Sequence, residues 1–215
     1  VLEWVQPALA GIGVGSVAFV LLLLPLVLVQ KRSFGRIHLS RLAVVAALCV
    51  YGATLVAYTV VPDADTAQLC ETRRGGKLQP IPLDSLAWIL RTWHTSGLRA
   101  ALTTFNTFQL AMNVLLFVPL GIFLRSFFHQ SIPATVGIGF LVSLLIEATQ
   151  YTGFWWIYSC GIRVADVDDL ITNTAGTLVG ALIGPLVLGS WLPHAHDLKE
   201  TLRERVGLED HRDGR

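Results

Sequence analysis

An all-α bundle of about five transmembrane helices is the fold this sequence predicts. Three observations carry that reading. The chain of 215 residues is 53% hydrophobic. Only 14% of it is charged, against about 25% in an average soluble domain. Its apolar residues gather into stretches near the roughly 20 residues that a helix needs to cross a hydrocarbon core. The net charge of +1 gives no electrostatic footing for a nucleic-acid partner.

The stretches fall at residues 7–29, 42–62, 108–124, 133–151 and 170–192. The first is too long for the apolar core of a signal peptide and follows Glu3 rather than Lys or Arg, so it reads as a span. The third is the shortest. Residues 1–41 then form an N-terminal span with a basic loop, 42–192 the main membrane domain, and 193–215 a polar tail of mixed charge. Ten of the sixteen Lys and Arg lie in residues 30–41, at Arg125 and in the tail. The positive-inside rule therefore puts the N-terminus outside and the C-terminus in the cytoplasm.

With that topology, Asn113 in the third span, Glu147 and Gln150 in the fourth, and Asp169 and Asn173 at the start of the fifth share a depth near the outer face. An ionisable group there costs about 2.5 to 3.5 kcal/mol at a span centre and usually faces protein or a wet cavity. Glu147 and Gln150, three apart, share one side of a helix, and Asp169, Asn173, Gly176 and Gly180 line one stripe. The glycines on that stripe allow another helix to approach, with Gly137 and Gly139 as possible facing residues. Arg163, Asp166, Asp168 and Asp169 fit the charged rim of a pocket. They also fit a simpler reading in which Asp166 and Asp169 cap the fifth helix and Arg163 pairs with them.

The run Asn113-Val-Leu-Leu-Phe117-Val-Pro119-Leu-Gly121, Glu147-x-x-Gln150 and Arg163-x-x-Asp166-x-Asp168-Asp169-x-x-x-Asn173-x-x-Gly176 resembles the signature of the VanZ-like family of small bacterial membrane proteins. The resemblance covers residues 42–192 and implies an envelope protein associated with lowered susceptibility to teicoplanin, a lipid-bearing glycopeptide. This chain inserts an aromatic segment, Thr152-Gly153-Phe154-Trp155-Trp156-Ile157-Tyr158, between the glutamine and the arginine. Trp155, Trp156 and Tyr158, like Trp88 and Trp93 in the long second loop, read as an interfacial belt, with lipid recognition as the sharper alternative.

Cys49 lies within the second span and reads as a small packing residue. Cys70 and Cys160 fall in two outer loops, where oxidising conditions favour a disulfide. His94, His194 and His196 make no metal set. The sequence carries no phosphate-binding loop, dinucleotide fingerprint, zinc-protease helix or nucleophile elbow, and no cofactor is expected.

Three functions fit these residues. The first is an outward-facing pocket of Asn113, Glu147, Gln150, Arg163, Asp166, Asp169 and Asn173 that engages an amphiphile: a membrane lipid, a cell-wall precursor or a lipoglycopeptide. The second is an intramembrane hydrolase or transferase acting on a lipid-linked phosphate. Glu147 would be its candidate catalytic acid or base, Arg163 its phosphate anchor and the Asp cluster its divalent-cation site. The third is a polar network that only holds the spans together.

Overall fold

The structure is a computed structural model that describes residues 2–61, 70 and 77–188. The polar tail at 193–215, with His194 and His196, lies outside the described residues, as do residues 189–192 of the fifth stretch. Helices α1 (Leu2–Phe34) and α2 (Leu39–Thr59) form a hairpin. A two-residue strand β1 (Leu78–Gln79) precedes helices α3 (Asp84–Ser96) and α4 (Leu98–Leu102). Helix α5 (Phe105–Ile122) runs into a π-helical turn, Phe123–Phe127. After it come α6 (Ile132–Tyr151), a four-residue turn α7 (Gly153–Trp156), strand β2 (Ala165–Asp166) and α8 (Val167–Leu188).

Among the described residues, five helices are long and apolar enough to cross a membrane: Val5–Ser33, Leu39–Thr59, Phe105–Phe127, Ile132–Tyr151 and Val167–Leu188. The third is not the shortest. It begins three residues before its apolar run and gains its last turn from the π-helical segment, where Phe128 N–H reaches Phe123 O at 3.1 Å.

Packing follows the small residues. In the hairpin, Gly11 lies against Thr54 and Gly15 against Cys49 and Val50. In the second half, Gly176 lies on the Val114 carbonyl and Gly180 on the Val118 carbonyl, while Gly121 of α5 meets Thr177 and Ala181 of α8. The glycine stripe of α8 thus faces α5, and the expected partnership with Gly137 and Gly139 does not form. Gly137 faces open space, and Gly139 instead accommodates the Thr177 side chain. The physical reason is one of shape, since a glycine on one helix is enough to let the backbone of the other come close, and α5 presents its Val114 and Val118 carbonyls to the α8 glycines.

Tyr51 joins the halves by donating its hydroxyl to Leu116 O at 2.8 Å and packing on Phe123 with ring centroids 5.8 Å apart. Strands β1 and β2 pair in parallel, Leu78 with Ala165 and Gln79 with Asp166. A disulfide joins Cys70 to Cys160, with Cα atoms 5.4 Å apart. Pairing and disulfide together bring the long loop against the segment that leads into α8.

Candidate functional site

The C-terminal ends of α2 and α6 and the N-terminal ends of α5 and α8 lie at one end of the bundle, and the polar side chains collect there. Each is placed by the register of its own helix. On α6, Ser143, Glu147 and Gln150 follow steps of four and three and are all buried. On α8, Asp169 and Asn173 are one turn apart, as Gln109 and Asn113 are on α5.

Glu147, 5% exposed, accepts the Asp166 N–H through Oε2 at 2.9 Å. It lies within electrostatic reach of Asp166, Asp169 and Arg163. Gln150 donates to Thr59 O of α2 at 2.7 Å, and its own carbonyl accepts Ile162 N–H at 2.9 Å, which fastens the segment before β2. Asp169 accepts from Asn113 Nδ2 at 2.6 Å and Gln109 Nε2 at 3.0 Å. Asn173 donates to Ser143 Oγ at 2.9 Å, while its buried Oδ1 has no hydrogen-bond partner among the described residues.

The three aspartates diverge. Asp166 precedes the first residue of α8 and accepts Asp168 N–H at 2.9 Å, so it is an N-cap. Asp168, 2% exposed, leaves its own helix and accepts backbone N–H groups of Leu83 and of Ser85, the latter at 2.8 Å. It thereby caps α3 from another helix. Leu83, the N-cap residue of α3, sits at φ 64° and has no capping side chain of its own, so the Asp168 carboxylate takes that place. Asp169 turns into α5 and accepts from Asn113 and Gln109, so capping of α8 itself falls to Asp166. Nor do the three converge as a divalent-cation site: among the described residues no group of three or more His, Cys, Asp or Glu is arranged to hold a metal ion.

Asp166 lies outside the spanning segments. Burial first, then the neighbouring Asp168 and Asp84 charges, hold its carboxyl above the ordinary aspartate range, opposed by the Asp168 N–H that it accepts.

The inserted aromatic segment folds as a left-handed turn, with φ of 64°, 55°, 57° and 66° at Gly153, Phe154, Trp155 and Trp156. Such a conformation costs non-glycine residues about 1–2 kcal/mol each. Thr152 holds the turn by accepting Trp155 N–H at Oγ1 and Trp156 N–H at its carbonyl. Trp155 and Trp156 are left exposed, edge to face at 6.3 Å.

A family model described as VanZ/LLP1 matches residues 48–188, from the middle of α2 to the end of α8. The chain belongs to the VanZ/LLP1 family. The matched stretch includes every polar contact just described, whereas α1 lies outside it. No curated protein and no solved structure matches the chain. Within the VanZ/LLP1 region, three contributors were not legible as site residues beforehand. Ser143 and Thr59 look like ordinary hydroxyl residues of a span, and only Gln109 carried a signal, its spacing of four from Asn113.

Proposed function

We propose that this VanZ-family membrane protein engages an amphiphile of the bacterial envelope at the polar end of α5, α6 and α8, and thereby lowers susceptibility to teicoplanin-type glycopeptides. The observation that carries the reading is Glu147. Its carboxylate is buried inside a span, bonded to a backbone N–H of the adjoining loop segment, with two further carboxylates and Arg163 around it. A network needed only for cohesion gains about 0.6 kcal/mol per interhelical hydrogen bond on average, and neutral side chains supply that as well. An acid there is expensive to insert, which favours a role in recognising a polar headgroup while the acyl part stays in lipid. Membrane lipids, a cell-wall precursor and a lipoglycopeptide share that amphiphilic character.

The test is the susceptibility of a deletion strain to teicoplanin and vancomycin, with and without the wild-type gene restored. The reading expects restoration to lower teicoplanin susceptibility more than that to vancomycin. Equal effects on both drugs, or none, would remove the glycopeptide part.

The same grouping supports a second reading, hydrolysis or group transfer on a lipid-linked phosphate, with Glu147 moving the proton and Arg163 binding the phosphate. Turnover of such a lipid by purified protein, lost in Glu147→Gln, is its expected signature. Unchanged turnover in that variant would dismiss Glu147 from the chemistry.

A further inference from the structure

Helix α3 has six apolar residues among thirteen, and none of its residues is buried. Leu86, Leu90 and Trp93, spaced four and three apart, form one strip and are 42%, 43% and 48% exposed. Asp84, Arg91 and Thr95 occupy the opposite side, where Arg91 and Asp84 form an exposed ion pair at 3.9 Å. Trp88, five residues from Trp93, falls on that polar side and is not part of the strip.

Both ends of the segment are fixed to spans. Asp168 in the first turn of α8 holds the α3 N-terminus. At the other end Gly97, at φ 88°, turns the chain into α4, and Thr104 then caps α5 by accepting Thr107 N–H at 3.2 Å. Leu98 and Leu102, four apart on α4, are exposed as well. At 1.5 Å per residue, thirteen residues reach about 20 Å, short of the roughly 30 Å core. The segment therefore does not cross; it lies at the level where α5 and α8 begin.

We propose that α3 and α4 lie in the plane of the membrane interface, with the Leu86–Leu90–Trp93 strip seated at the boundary between headgroups and acyl chains. The occupant of the strip is the lipid that surrounds the five spans. Two observations select it: the strip is attached at the ends of the spans, and along the chain it is followed by the exposed Leu98 and Leu102 of α4 and the exposed Phe105 and Phe108 that open the α5 span. Asp168 acts as the positioning residue that sets where α3 starts. With Arg91 as its lone Lys or Arg, α3 relies on apolar contact more than on attraction to anionic lipid.

The test places a nitroxide at Leu90→Cys or Thr95→Cys, with Cys49→Ala in both, in the full chain reconstituted into phosphatidylethanolamine and phosphatidylglycerol vesicles. Oxygen is expected to relax the label at 90 more strongly than an aqueous nickel complex does, with the reverse at 95. Equal exposure of both labels to nickel would put the strip in water and overturn the proposal. Shielding of the label at 90 from both reagents would also overturn it, because a protein partner would then cover the strip. Leu86→Cys gives the same reading one turn earlier if the Leu90 variant fails to fold.

Discussion

The α1–α2 hairpin and the α5–α6–α8 bundle solve the same problem with different chemistry. The hairpin closes on Gly11 and Gly15, and Gln30, which accepts His38 N–H at 2.7 Å, makes a local contact in its connection. The second region also closes on glycines, Gly121, Gly176 and Gly180, yet it adds buried acids and amides at one end. Small residues alone bring helices together in lipid, where dispersion and close approach replace the hydrophobic effect. The polar groups of the second region make two further kinds of contact: Asp169 and Asn173 bond across helices to Asn113 and Ser143, while Glu147 takes the β2 backbone, Gln150 the chain before it, and Asp168 the start of α3.

Breaking the glycine contacts gives the largest effect. Gly180→Val sets a side chain against the Val118 carbonyl, and a backbone must move, so the loss is expected to reach or exceed the about 1–3 kcal/mol of ordinary overpacking. Gly137→Val, in open space, stays within about 0.5 kcal/mol. Thermal unfolding in detergent separates the two, and a Gly180→Val protein as stable as wild type would contradict the packing described.

Asp168→Ala comes next. It removes the cap of α3, at about 0.5–2 kcal/mol. Hydrogen exchange is expected to rise across Asp84–Ser96 while the α1–α2 hairpin keeps its protection. A uniform rise in both regions would mean that the aspartate supports the whole fold rather than the loop.

Ser143→Ala is milder, near the 0.6 kcal/mol average of an interhelical bond, and denaturation in mixed micelles is the measurement.

The smallest effect is a slope against pH. Because Asp166 titrates above its ordinary value near 3.8, the folded chain holds more proton than the unfolded chain between the two values. Stability then falls as pH rises through that window, and Asp166→Asn, which keeps the cap, is expected to flatten the slope. An unchanged slope would assign the dependence to another group.

The five spans were legible because length and apolarity are dictated by the bilayer, and the polar residues of α6 and α8 because charge in a span is rare. What escaped the sequence was direction. The spacing of Asp166, Asp168 and Asp169 is equally compatible with one cluster and with three separate partners, and only the crossing of α5, α6 and α8 decides between them. The partner of the α8 glycines was misassigned for a related reason. Gly137 and Gly139 offered the right residue type, but α5 presents its carbonyls at the crossing and α6 presents space for Thr177. The left-handed turn at 153–156 was likewise hidden, since its three aromatic residues disfavour that conformation and Thr152 supplies the bonds that hold it.

The central claim is that Glu147 serves recognition and not only cohesion. Its most direct test is teicoplanin susceptibility of the deletion strain carrying wild type, Glu147→Gln or Ser143→Ala at matched membrane levels. The account predicts that Ser143→Ala behaves as wild type while Glu147→Gln, folded and present, fails to restore the phenotype. Full restoration by Glu147→Gln would contradict it and leave the buried acid as part of the scaffold.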